Sequence, residues 1–151
     1  MSLDTSTSQK ASDLILQARS VVAQAQDALN TSLSHIKSLC LNETGRLSGS
    51  KLDEYQLVSY ELAYSSAEVA AASSMCDFAM NIRESKGDQA EVYLEEQFAL
   101  MFCAEAVQNT RTRLATRRNE FGLSAEQFSL AFESDNSVNF CQEYQQTSKL
   151  V

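Results

Sequence analysis

Apolar residues recur along this chain at alternating steps of three and four. The first such line is Ile15, Ala18, Val22, Ala25, Leu29, Ser32, Ile36 and Leu39. That spacing winds a single stripe down an α-helix, as in the seam of a helical bundle. Leu14, Val21 and Ala28 add a second line beside it, and His35 continues that line. The pattern predicts a first helix from about Ser8 to Leu41, followed by a loop over residues 42–50 that holds Gly45 and Gly49.

The second line of this kind is Tyr55, Val58, Leu62, Ser65, Val69, Ala72, Cys76 and Ala79. It predicts a helix that starts near Ser50 or Leu52 and reaches Lys86. Ser50 can cap its start by accepting from the Asp53 N–H. Gly87 suits its end. Ala67 and Ala70 to Ala72 are small enough for a neighbouring helix to come close. A third helix is expected from Asp88, where Asp88 and Glu91 have capping-box spacing, to Arg118. Leu94, Phe98, Leu100, Met101, Phe102, Ala104 and Val107 cover much of its circumference, so this helix is expected at the centre of the domain. Ser124 and Gln127 form a further capping box, flanked by Leu123 and Phe128 as a hydrophobic staple. They predict a short helix from Ala125 to about Glu133, and a last short helix is expected over Asn136 to Gln146.

The fold class is therefore all-α: an up-and-down bundle of three long helices plus one or two short C-terminal ones. Composition agrees. The chain has no proline, where average usage would give about seven or eight. Proline breaks helix interiors, because it lacks an N–H and clashes with the preceding turn. Residues 1–7 are expected as a loose lead-in or a cloning remnant, 8–147 as one domain and 148–151 as a tail.

Charge and candidate chemistry narrow the function only by exclusion. The net charge is −8, which argues against nucleic acid or an anionic membrane as the main partner. No apolar run approaches the roughly 20 residues of a membrane span, and the first residues lack a secretory apolar core. Cys40, Cys76, Cys103 and Cys141 are far apart in sequence and fall on helical patterns. They read as reduced, buried thiols in a cytoplasmic protein. His35 is the single histidine and has no Glu-x-x-His partner, so neither a metal site nor a catalytic triad is expected. Glu54, Glu61 and Glu68 recur every seven residues and read as a solvated edge, paired with arginines of a neighbouring helix. Arg111, Arg113, Arg117 and Arg118 are the candidate site residues, for an anion or an acidic partner. The bland alternative is that they offset the negative end of the third helix. No glycine-rich phosphate loop is present.

Two stretches carry a family resemblance: LDEYQLVSYELAYSSAEVAAASSMCDFAM from Leu52 to Met80, and YLEEQFALMFCAEAVQNTRTRLATRRNEFGLS from Tyr93 to Ser124. An acid-led helix with small residues, the AEAVQNTRTRL helix and a short link to FGLS resemble the C-terminal helical region appended to some bacterial acyl-CoA dehydrogenase-like flavoproteins. The resemblance covers about half the chain. It implies a parent enzyme that oxidises acyl-CoA thioesters with FAD. The flavin-contacting glycines and the catalytic-glutamate region of that family have no counterpart in this chain, so no catalytic or cofactor residue carries over. The expected role is a non-catalytic accessory bundle packed on a catalytic core or subunit partner. A free-standing cytoplasmic interaction bundle, such as an export chaperone, is the alternative. In either case the second line of the first helix exceeds what one domain is expected to cover. Self-association or docking on a larger subunit is expected through the side formed by the first two helices, with the arginine cluster near one end.

Overall fold

The computed structural model describes residues 4–87 and 92–145, with side chains from Lys10 to Tyr144. The chain folds as α1 (Asp4–Leu39), α2 (Gly49–Glu54), α3 (Gln56–Lys86), α4 (Leu94–Thr116), α5 (Ala125–Phe132) and α6 (Asp135–Gln145). The three long helices α1, α3 and α4 pack on one another in the all-α bundle that the periodicity predicts. The short helices α5 and α6 close over α1 and α4.

The seams lie where the pattern puts them. Ile15, Ala18, Val22, Ala25, Leu29, Ser32 and Ile36 of α1 are buried, and so are all of Val58, Leu62, Ser65, Val69, Ala72, Cys76 and Ala79 of α3. Ala18, Ala25 and Ser32 in the first line, and Ser65, Ala72, Cys76 and Ala79 in the second, are small enough to let the helix backbones approach. Cys40, Cys76, Cys103 and Cys141 are buried free thiols. The sulfurs of Cys76 and Cys103 meet at 3.4 Å across the α3–α4 seam. The hydrogen bond to Cys76 and burial together push the Cys103 thiol well above its ordinary range.

Several boundaries differ from expectation. Helix α1 reaches back to Asp4, into the stretch expected as a lead-in. The second helix is two helices, separated at Tyr55 (φ −103°, ψ 19°). The break turns α2 back toward the end of α1, where Lys51 Nζ donates to the Leu41 carbonyl at 2.6 Å. Ser50 lies inside α2, and Ser48 takes the N-cap position, its hydroxyl bonded to the Ser50 hydroxyl at 3.0 Å and not to a backbone N–H. The third helix starts at Leu94, not Asp88. Glu96 accepts from the Tyr93 N–H at 2.8 Å and fixes that start. The Asp88–Glu91 capping box, Gln146 and the tail fall outside the described residues. The Ser124–Gln127 capping box forms as read, with Leu123 and Phe128 buried beside it.

Helix α4 packs against α1, α3, α5 and α6, and α1 packs against α3, α4, α5 and α6, so the centre expected of the third helix alone is shared by these two. The apolar surface of α4 is uneven, however. Leu100, Ala104 and Val107 are buried and Phe102 is half-buried, whereas Leu94 and Phe98 are exposed. The largest correction concerns α1. Val21 is 0% exposed and Ala28 is 5% exposed, with Leu14 packed against the same core. The covering groups come from this chain's own C-terminal part. Gln17 donates to Asn136 at 2.9 Å, and Ser137 donates to Gln24 at 3.0 Å. His35 presses on Gly122, whose φ is +68°; a Cβ there would lie 2.3 Å from His35 Cγ. The helix 1 flank is thus interior, and the interface expected on it does not exist in this fold.

Candidate interaction surface

The arginine cluster is divided among separate tasks. Arg113 bonds Glu68 and stacks over the Tyr64 ring, 4.6 Å from its centroid. Arg117 faces Glu61 at 4.0 Å, and Arg111 faces Glu133 at 3.6 Å. Arg118 lies at the loop after α4, where Ala115, Thr116, Arg117, Arg118, Asn119 and Glu120 line a surface depression of about 430 Å³. Its polar walls do not suit a flavin ring, which calls for broad apolar faces. Glu61 and Glu68 pair with arginines of α4 as expected, but they are partly buried between the helices and not on a solvated edge. Glu54 stands apart, exposed on α2.

At the loop-proximal end, α3 and α4 are tied by a pair that the sequence reading missed. Arg83 and Glu96 are both buried and bond through two contacts, Nε to Oε1 at 2.8 Å and Nη2 to Oε2 at 2.6 Å. The Tyr93 ring stacks on Arg83 at 4.6 Å, and its hydroxyl donates to the Gly87 carbonyl. A signal existed: Arg83 continues the seam one step beyond Ala79. Lys86 and Glu95 add an outer pair at 2.9 Å.

Helix α3 also carries a second stripe, opposite its seam. Leu57, Tyr60, Tyr64, Ala67, Ala71, Ser74 and Phe78 follow the same alternation of three and four, and all are exposed. Tyr60 is 64% exposed and Phe78 is 54% exposed. Every exposed position from Gln56 to Ser74 is uncharged, in a chain that is 21% charged. Apolar and aromatic composition with charge removed is the signature of an interface centre rather than of ordinary surface. The aromatic side chains are held in place. Tyr60 and Tyr64 sit ring to ring, with centroids 6.1 Å apart, and Arg113 fixes Tyr64 from the side. Farther along, Phe78 of α3 and Phe98 of α4 are exposed as well.

Among the described residues no cluster of His, Cys, Asp and Glu could hold a metal ion, and no helix is long and apolar enough to cross a membrane. No family model, no curated protein and no solved structure matches this chain. The resemblance to acyl-CoA dehydrogenase-like proteins accordingly rests on the two quoted stretches alone.

Proposed function

We propose that this chain is a non-catalytic helical interaction module that binds protein through the outer face of α3. The observation that carries the reading is that face: aromatic, uncharged and exposed, on a helix whose other side is already seated in the core. Two forms of the reading remain distinct. As an accessory bundle of an acyl-CoA dehydrogenase-like enzyme, it would dock on the catalytic core, and FAD would belong to the parent's other domains. What supports this form is that the resembling stretches are those that build α3 and α4. As a free-standing bundle of the export-chaperone kind, it would present the same face to a client.

The test is site-specific photo-crosslinking in the cell, with a benzophenone side chain at Tyr60 or Ala71 and a control at Ser34, an exposed position on α1. Discrete protein adducts from the two α3 sites, and none from Ser34, are expected. Failure of both α3 sites to form adducts overturns the interaction reading.

A further inference from the structure

Of the four buried thiols, two face backbone carbonyls and two face each other. Cys40 Sγ lies by the Lys51 carbonyl and Cys141 Sγ by the Ala104 carbonyl, whereas the sulfurs of Cys76 and Cys103 meet at 3.4 Å. We propose that Cys76 and Cys103 are a latent disulfide, closed by a hydroperoxide, whose formation locks α3 to α4. The proposal is independent of the interaction reading above.

The seam is built for the bond. A disulfide needs its sulfurs about 2.05 Å apart and its Cα atoms roughly 4.4–6.8 Å apart. The sulfurs therefore have to close by about 1.3 Å. Nothing bulky holds the two helices apart at this level. Cys76 has Ala72 one turn before it and Ala79 one turn after, and Cys103 has Ala99 and Ala106 at the same offsets. All four alanines are buried. The Cys103 sulfur already reaches the backbone of α3, 3.5 Å from the Ala72 carbonyl oxygen.

The contact also divides the roles. The hydrogen bond from Cys103 holds the Cys76 thiol below its ordinary range, against the effect of burial. Cys76 is accordingly the attacking sulfur. Its thiolate displaces hydroxide from hydrogen peroxide and becomes a sulfenic acid. The Cys103 sulfur then attacks the Cys76 sulfur, and the sulfenic oxygen leaves as water. Two S–H bonds and one O–O bond break, and one S–S bond and two O–H bonds form. Two electrons pass from the sulfurs to the peroxide, which ends as two waters. Both thiols are 0% exposed, which bars a tripeptide disulfide from the closed seam and leaves a small hydroperoxide as the oxidant. The same burial delays the attack until the helices part locally, so the pair is a slow lock and not a fast sensor.

The test exposes the whole reduced chain to hydrogen peroxide, then unfolds it, alkylates the remaining thiols and weighs it. The wild type should lose two hydrogens and take up two alkyl groups instead of four, with Cys76 and Cys103 in one linked peptide pair. The two cysteines are 27 positions apart, so the bond closes a long loop in the unfolded chain. The melting temperature should therefore rise by about 5–10 °C and return after treatment with a dithiol. Cys40→Ala combined with Cys141→Ala, which keeps the pair, should respond as the wild type does. Cys103→Ala should instead stop at a Cys76 sulfenic acid, captured by a dimedone probe. Four alkylated cysteines after peroxide, or oxidation that falls on Cys40 or Cys141 in place of the pair, overturns the latent disulfide. A Cys76–Cys103 bond that leaves the melting temperature unchanged or lower overturns the lock.

Discussion

Leu14, Val21 and Ala28 on α1, and Leu57, Tyr64, Ala71 and Phe78 on α3, are both apolar lines of seven-residue spacing set beside or opposite a buried seam. Their surroundings are opposite. The α1 line is interior, covered by α5, α6 and the Gly122 loop. The α3 line is exposed along its whole length. A second apolar line on a helix thus does not tell by itself whether the fold covers it. The polar neighbours make the distinction. Beside the α1 line stand Gln17 and Gln24, which find partners in Asn136 and Ser137. Beside the α3 line, Tyr60, Ala67 and Ser74 stand exposed, and the flanking Glu61 and Glu68 are paired with Arg117 and Arg113 of the same bundle.

The sharpest way to break this comparison is to place the same charge in both lines. Val21→Glu puts a carboxylate at a fully buried site and should cost more than about 4 kcal/mol, enough to unfold much of the protein. Ala71→Glu should change folding stability by less than about 0.5 kcal/mol. Urea titrations of the two variants should separate them clearly; similar midpoints would mean that the two lines are not differently covered.

Next in size is the tie at the end of the α3–α4 hairpin. Glu96→Ala leaves Arg83 buried without its carboxylate and should cost roughly 3–5 kcal/mol. Replacing both residues, as Arg83→Met with Glu96→Leu, should recover most of that loss, because an apolar pair has no charge to desolvate. A double variant as unstable as the single one would show that the pair holds the hairpin by more than mutual charge.

Aromatic truncation sharpens the contrast within α4. Phe102→Ala should cost on the order of 1–3 kcal/mol, less than a fully buried phenylalanine, because the ring is only half-buried. Phe98→Ala should leave stability nearly unchanged, since its ring is exposed. Thermal melts of the two variants side by side check the contrast.

A further effect is expected at alkaline pH. Burial pushes the Cys141 thiol up from near 9.0 to about 11. As pH rises, the unfolded chain releases this proton first, so the folded state keeps its full stability below about pH 9 and loses it between there and about pH 11. The loss is on the order of 2 kcal/mol. Melting curves at a series of alkaline pH values should show a shallower decline in Cys141→Ala than in the wild type.

Much of this fold was legible in the sequence, because spacing alone determines which side of a helix is apolar. Both seams, the capping box at Ser124 and the pairing of Glu61 and Glu68 with arginines follow from it. Three features were not legible in that way. The break at Tyr55 falls inside an uninterrupted apolar period and has neither glycine nor proline to mark it. The Arg83–Glu96 pair reads as surface charge until the seam is extended by one more step. The outer stripe of α3 was hidden by its own composition. Alanine and serine satisfy either side of a helix, and the absence of charge becomes visible only when exposed positions are separated from buried ones. For the same reason Phe98, expected in the core, sits outside: periodicity assigns a side of the helix, and neighbours decide which sides are covered.

The contacts between α3 and α4 have one more consequence, for motion. Arg117–Glu61, Arg113–Glu68, Cys76–Cys103, Arg83–Glu96 and Lys86–Glu95 are spaced along the full hairpin like the teeth of two engaged racks. Sliding one helix by a single turn, about 5.4 Å, would disengage all of them together, the buried guanidinium included. A one-turn shift between these helices therefore has to break the buried Arg83–Glu96 pair, the costliest of the five to leave unmade.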